Sequence, residues 1–426
     1  MMPSAPAAGS GLAPVRSTLD NGVVVLTKET RKTPAVAINL AVRAGSICDP
    51  PGATGASYLL ARVIDRGTAG RSGDAIADEV DGRGISLTIN VTRHLFSIVC
   101  TCLARDFEVI LALLGDVLMT PTVPERELAT RKGEVITAIR QDDDNPAVRA
   151  TEGLMALLYG DRHPYGRPAK GVVEIVEGLT RDRLLAMHAE RFAPSELSAV
   201  IVGDVDPGRA LDAAQRVFGG WRAARPAAVT LPPIARSSAR RRRVLPMMNK
   251  SQTEIAYGFT TITRTDPAYY AFWLMNVALG QYALGGRLGD SIRERQGMAY
   301  YVSSTLDANV LEGPLVIRAG VSQANVERAI ASIDDELTRL RIDGLSEKEL
   351  RDMKQYLVGS MPRALEANAG IANFLQTMEF FDLGLDYDRR LPEMLGAVTL
   401  DEVREAAKQA VDPARATIVV AGPYGE

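Results

Sequence analysis

Only three cysteines occur in the 426 residues, Cys48, Cys100 and Cys102, and no Cys-x-x-Cys pair exists. That count and spacing exclude a disulfide framework and a thiolate zinc site. The three read as small core or surface thiols, with Cys100 and Cys102 on one face if they share a strand. Histidine is equally scarce: His94, His163 and His188. None has a histidine or carboxylate partner at ligand spacing, so ordinary structural roles are expected. There is no excess of positive charge. Lys plus Arg is 49 against 52 for Asp plus Glu, a net charge of −3, and the basic footprint of a nucleic-acid binder is missing. No apolar run reaches the length of a membrane span. The opening "MMPSAPAAGSGLAPVRS" has neither the basic nor the apolar region of a secretory signal. Residues 1–16 are expected to be a flexible tail. The expected compartment is the cytoplasm, or the periplasm if a signal peptide has been removed.

What is present is an ordinary globular balance, 46% hydrophobic and 24% charged, over a length that calls for two or more domains. "STLDNGVVVLTKET" and "TPAVAINLAVRAG" read as strands, the first entered through an Asp-Asn-Gly turn. "SGDAIADEVDGRG" reads as a helix capped by Ser72 and stopped at Gly82. "ISLTINVTRHLFSIVCTCL" is β-rich, and "DFEVILALLGDVLMTP" is an amphipathic helix ended by Pro121. Internal repetition is the strongest signal. "LTRDRLLAMHAERFAPSELSAVIVGDVDP" and "VTLDEVREAAKQAVDPARATIVVAGP" share one order: capped helix, proline break, strand, glycine. They begin at Leu179 and Val398, 219 residues apart (398 − 179). "FEVILALLGDVL" and "VERAIASIDDEL" begin at Phe107 and Val326, again 219 apart (326 − 107). Two segments at one offset predict an α+β fold of two homologous domains. Each would be an antiparallel sheet packed with helices, at residues 17–222 and 246–426.

The stretch between them, 223–245, is rich in Pro, Ala, Ser and Arg and reads as a linker. Its run Arg240 to Arg243 could meet an acidic partner, but without interleaved aromatics a solvated linker is the simpler reading. "QDDDN", Gln141 to Asn145, could hold a divalent ion weakly. It lacks the Gly and Glu of a calcium loop, and an acidic helix end before Pro146 is the simpler reading.

One segment looks built for chemistry and lacks the residues for it. "GATGASYLLARVIDRGT", Gly52 to Thr68, reads as a buried helix entered through a glycine turn. Tyr58, Ala61 and Arg62 stand at i, i+3 and i+4, on one face. Metallopeptidases of the H-x-x-E-H type use this spacing for two histidine ligands and the glutamate that activates a zinc-bound water.

The segment resembles the "G-x-A-H-F-L-E-H-M-x-F-x-G-T" of the pitrilysin/insulinase family of zinc peptidases, and most of all its mitochondrial processing peptidase-like branch. "GEVITAIRQDDDNP" resembles that family's "V-x-x-E-I-x-x-x-x-D-x-P", which supplies the third ligand. "HPYGRPAKG" and "LSAVIVGDVDP" follow in the family's order. The resemblance implies that Tyr58 and Arg62 stand at the two histidines, Ala61 at the catalytic glutamate and Ala138 at the third ligand. Arg62 and Ala138 are 76 apart (138 − 62), as the family spacing requires. Zinc takes imidazole, thiolate or carboxylate ligands, so no metal is expected in this chain, and a cationic Arg62 would repel one. Arg62 could fill the space with a salt bridge to Asp65 or Glu134.

The second half carries "LGQYALGGRLGDSIRERQGMAYYVSS", Leu279 to Ser304. Its glycines suggest a flexible loop at 280–289, including Gly285 and Gly286, that leads into a short helix stopped by Gly297 and then a strand. No Gly-Lys-Ser/Thr follows, so it is not a phosphate loop. The segment resembles the family's "L-R-E-x-x-G-L-A-Y", whose Arg and Tyr reach the zinc site. They would be Arg293 and Tyr300, seven apart (300 − 293). On composition alone, Arg293 would pair with a local glutamate and Tyr300 would sit in a strand core. The resemblance implies instead that both bind substrate, with Gly285 and Gly286 touching it, and that Tyr301 faces the other way from Tyr300. It further implies a heterodimer whose zinc-bearing homologous subunit completes the site around a peptide substrate, with a homodimer possible without that partner. The competing reading is a non-catalytic scaffold or peptide-binding protein of the same fold.

Overall fold

The computed structural model describes residues 11–282 and 285–425, and in it the β-branched runs form two sheets. The first sheet contains β1 (Val15–Thr18), β2 (Val24–Glu29), β3 (Ala35–Val42), β4 (Ser86–Val91), β5 (Phe96–Leu103) and β6 (Leu197–Gly203), in the order β1-β2-β6-β3-β5-β4. The second contains β7 (Arg241–Pro246), β8 (Thr253–Thr260), β9 (Ala299–Leu306), β10 (Pro314–Val321) and β11 (Thr417–Gly422), in the order β7-β11-β8-β10-β9. Without β1 the two orders are the same. In each, one pair is parallel, β2 with β6 and β7 with β11, while the remaining pairs are antiparallel. The parallel pairs were not foreseen. They arise because β6 and β11 return to the sheet only after long helical crossovers, which parallel pairing requires.

The helices of the first half are α1 (Ala56–Val63), α2 (Gly73–Gly82), α3 (Phe107–Met119), α4 (Glu125–Asp143), α5 (Pro146–Tyr159), α6 (Val173–Gly178), α7 (Arg181–Arg191) and α8 (Pro207–Phe218). Those of the second are α9 (Tyr269–Asn276), α10 (Val326–Asp343), α11 (Glu347–Ala364), α12 (Asn368–Phe380), α13 (Tyr387–Ala397) and α14 (Leu400–Ala410). The duplication extends to single contacts. The Lys132 ammonium, on α4, donates to the Glu177 and Leu179 carbonyls at the end of α6 (3.1 and 2.6 Å). Lys354, on α11, donates to the Gly396 and Val398 carbonyls at the end of α13 (2.7 and 2.6 Å). A cation on the last carbonyls offsets the negative end of a helix, and both copies keep it.

The chain forms two compact units. One holds the residues up to Thr137, Pro168–Thr230 and Met361–Leu391. The other holds Ala138–Arg167, Leu231–Ser360 and the residues from Pro392. Each unit therefore takes a helix from the opposite half of the sequence. In the first, α12 packs on β3 and β6 and buries Ile371, Ala372, Leu375 and Met378. Gln376 donates to Ser198 (2.6 Å) and Asn368 to the Ala35 carbonyl (2.9 Å). In the second, α5 packs on β8 and β11 through Ala150, Leu154, Met155 and Leu158.

Two local expectations change. Residues 1–10 of the expected tail lie outside the described residues, but Val15 and Arg16 open β1, opposite Thr27 and Leu26. The arginine run is not solvated linker. Arg241 to Arg243 begin β7, where alternate side chains share a face. Arg240 binds Asp334 through both guanidinium nitrogens (3.0 and 2.9 Å), and Arg242 does the same to Glu327 (3.1 and 2.6 Å), both on α10. The two-residue period was hidden because all four residues are of one type. The acidic run ends α4 as read, with Asp143 paired to Arg149 (3.1 Å), Asp144 to Lys250 (2.6 Å), and Asn145 capping α5.

Candidate functional site

Gly55 opens α1 at φ 95°, a left-handed conformation that glycine adopts without strain. Asp49, buried at 3% exposure, accepts from the Gly55 and Ser57 amides (2.9 and 3.0 Å) and from the Ser57 hydroxyl. A carboxylate on the first free amides of a helix both caps it and complements its dipole. Leu59, Leu60 and Val63 are fully buried and Ala61 nearly so. Tyr58 and Arg62 share a face, as the spacing predicts. The Arg62 guanidinium donates to the Tyr58 hydroxyl (2.9 Å) and lies 4.8 Å from the centre of its ring. The expected salt bridge of Arg62 to Asp65 or Glu134 does not form. Asp65 faces Arg66 (3.2 Å), and Glu134 faces Arg131 (2.7 Å). Burial pushes the Asp65 carboxyl above its ordinary range, against the pull of Arg66 and Arg131.

This constellation does not fit zinc. A phenol tied to a guanidinium, a methyl group and a cation offer no ligand set. Ala138 lies half-buried on α4 and adds no donor. Among the described residues no group of three or more His, Cys, Asp and Glu could hold a metal ion. The histidines occupy structural positions. The His188 Nε2 lies 2.8 Å from the Leu118 carbonyl, and the His163 Nδ1 accepts from the Tyr165 amide (3.1 Å). His94 is buried, and burial, with Arg93 and Arg43 beside it, lowers its pKa to about 4.

The segment carrying Arg293 and Tyr300 holds two short helical stretches on either side of the expected loop. Val277–Gln281 and Gly289–Arg295 are two wide π-helical turns. Ala283 and Leu284 lie outside the described residues. A Cβ on Gly286 would stand 3.0 Å from the Gly280 Cα, and one on Gly285 would meet the Tyr282 ring at 2.2 Å. These glycines thus serve close packing within the segment. The second turn folds onto β9, tied by Met298 donating to the Ile292 carbonyl (3.1 Å). Arg293, near its end, has a side chain 44% exposed, with Glu294 3.7 Å away.

Tyr300 is 76% exposed, so it is no core residue of β9. The pairing explains why. Gly320 of β10 opposes Tyr301, and Val321 opposes Ala299, so Tyr300 is the extra residue of a β-bulge. Strict alternation, which would set Tyr300 and Tyr301 on opposite faces, is broken between them. Tyr301 instead donates its hydroxyl to Glu254 on β8. Burial pushes the Glu254 carboxyl up despite that hydrogen bond, and burial with the carboxylate beside it pushes the Tyr301 phenol up. The bulge, Glu254 and Gly320 were missed in the sequence. The available signal was Gly320 itself, since an isolated glycine in a strand marks a bulge or a close approach.

Comparison with known proteins agrees over nearly the whole length. A family model described as Insulinase (Peptidase family M16) matches residues 24–168, and one described as Peptidase M16 inactive domain matches residues 178–357. An uncharacterized zinc protease of Mycobacterium tuberculosis is 27% identical over 99% of this chain and 96% of its own. A solved peptidase M16 inactive domain from Pseudomonas fluorescens superposes with a TM-score of 0.88 at 27% identity, covering 96% of this chain and 98% of its own. A protease from Helicobacter pylori superposes equally well, with a TM-score of 0.88, over 96% of this chain and 99% of its own. Its 16% identity speaks to the fold alone.

Proposed function

The chain belongs to peptidase family M16, and we propose that it is the non-metal, substrate-binding subunit of a heterodimeric zinc endopeptidase, inactive alone. The observation that carries this reading is Tyr300, a large aromatic held 76% exposed on a bulge. Half-exposed Arg293 lies on the turn packed against the same strand. Exposed aromatic and arginine side chains are the usual anchors of binding surfaces. The zinc-bearing chain would be a homologue that carries H-x-x-E-H. The relative's name, zinc protease, supports the reaction class.

The chemistry assigned to this chain is binding and polarisation. The Arg293 guanidinium offers a fork of donors to substrate carbonyls. The Tyr300 phenol donates to the oxygen of the scissile carbonyl as negative charge develops there. Gly285 and Gly286 would lend backbone contacts to an extended peptide, which adds a strand to a sheet edge of the partner. A homodimer would duplicate this half and supply no ligands, so it would not cleave.

The test is reconstitution. The purified chain is expected to hold no stoichiometric zinc and to cleave no peptide. Stoichiometric zinc with chelator-sensitive cleavage would refute the reading. Mixed with the H-x-x-E-H homologue of its own organism, it should raise peptidolysis, and Tyr300→Phe should cut kcat by about 100-fold, the effect of losing one oxyanion donor. Arg293→Ala should act mainly on KM. Full activity in both variants would leave a scaffold.

A further inference from the structure

The unpaired residue at 300 sits on β9, the edge strand of its sheet. A bulge at an edge interrupts the ladder and leaves its extra residue without cross-strand hydrogen bonds. Something else must hold the strand at this point if Tyr300 is to present its ring in one direction. The register shows a candidate. Tyr301, Gly320 and Glu254 form one row across β9, β10 and β8, and the slip in pairing falls directly beside that row.

Neighbouring strands lie about 4.8 Å apart, so a contact between β9 and β8 has to span roughly 10 Å over the middle strand. The Tyr301 side chain does this, and its hydroxyl donates to the Glu254 carboxylate. Position 320 must be empty for the ring to pass. A Cβ there would stand 2.8 Å from the Tyr301 Cε1 and 3.1 Å from the Glu254 Oε1. Glu254 is 8% exposed, which shelters the bond from water, and a hydrogen bond to a carboxylate is among the stronger kinds. Glycine in the middle of a strand otherwise weakens it, so its presence at this one crossing point agrees with the bridge.

We propose that the Tyr301–Glu254 bridge over Gly320 holds the bulge in shape and thereby aims Tyr300. Tyr301, Glu254 and Gly320 are then positioning residues for a group that touches substrate. The functional half of this inference rests on the reading of Tyr300 as a substrate-binding residue. The structural half stands on the register, the Tyr301–Glu254 hydrogen bond and the space at Gly320.

Two measurements on the full chain separate the halves. Amide hydrogen exchange over residues 298–303 reads the bulge in the chain alone. Cleavage of a quenched fluorescent peptide, with the H-x-x-E-H homologue added, reads the site. Tyr301→Phe keeps the ring and loses the donor. It should speed exchange and lower kcat, each by about tenfold, the effect of one hydrogen bond to a charged group, with KM little changed. Glu254→Gln keeps an accepting oxygen but loses the charge, so both readouts should fall between those of the parent and of Tyr301→Phe. Tyr301→Phe combined with Tyr300→Phe should be no slower than Tyr300→Phe alone, because both act through one phenol. Gly320→Ala is the second route to the same loss. Unchanged exchange in Tyr301→Phe overturns the bridge. Impaired Tyr300→Phe beside fully active Tyr301→Phe overturns the positioning role and spares the proposed function. Fast exchange in Tyr301→Phe beside fully active Tyr300→Phe does the reverse, removing the substrate role of Tyr300 and leaving the bridge.

Discussion

Tyr58 and Arg62 satisfy each other at the surface of α1, while Leu59 and Leu60 on the same helix are fully buried. The two pairs should respond differently to truncation. Arg62→Ala removes an exposed cation–ring contact and should cost less than about 1 kcal/mol, whereas Leu60→Ala should cost about 2–5 kcal/mol. Denaturant midpoints would show the difference, and a large loss in Arg62→Ala would give that residue a role beyond filling space. The shared face of 58 and 62 was legible because helical spacing fixes it. The partner was not: acidic Asp65 and Glu134 looked the better match, but each faces an arginine near it in sequence. His94 allows a pH test. Its pKa of about 4 in the folded chain lies below the ordinary 6.5 of histidine. The unfolded chain therefore takes up this proton first, and stability is fully present above pH 6.5 and declines as pH falls from there toward 4. The melting temperature of the parent should fall relative to that of His94→Gln as pH drops across that window, and a constant gap would remove His94 as the cause.

At the level of elements, the turn before α1 joins two motifs that the sequence shows only as separate. A Cβ on Gly55 would stand 2.5 Å from the Lys170 carbonyl oxygen, and one on Gly171 would stand 2.3 Å from that of Thr54. The glycines of "GATGASY" and "HPYGRPAKG" thus let two backbones touch. Gly55→Ala meets both this crowding and a positive φ, so it should lose more than about 1 kcal/mol, seen as a lower melting temperature. A neutral result would mean the turn can reshape. Strands and helices were readable because period two and period 3.6 leave traces in the pattern. The bulge at Tyr300 was not, because it depends on which residue of β10 lies opposite, and pairing is not written in either strand alone.

For the whole molecule, the 219-residue repeat was legible since both copies keep the same order of strands and caps. The exchange of α5 and α12 was not, since a helix that covers a sheet looks the same whichever sheet it covers. Its consequence can be measured. Cut after Arg222, the first half lacks α12 over β3 and β6, and the second lacks α5 over β8 and β11. Either half expressed alone should melt without a cooperative transition, and co-expression should restore one. A cooperative melt in a lone half would show that the borrowed helix is dispensable. The same exchange sets a schedule on the ribosome. The last strand of the first sheet ends at Gly203 and its covering helix begins at Asn368. At roughly 5–20 residues per second, the bare face waits on the order of ten seconds or more for its cover. Over that interval the nascent chain depends on whatever shields apolar surface, and a stop codon before the end of α12 yields a sheet that nothing later in the same chain can close.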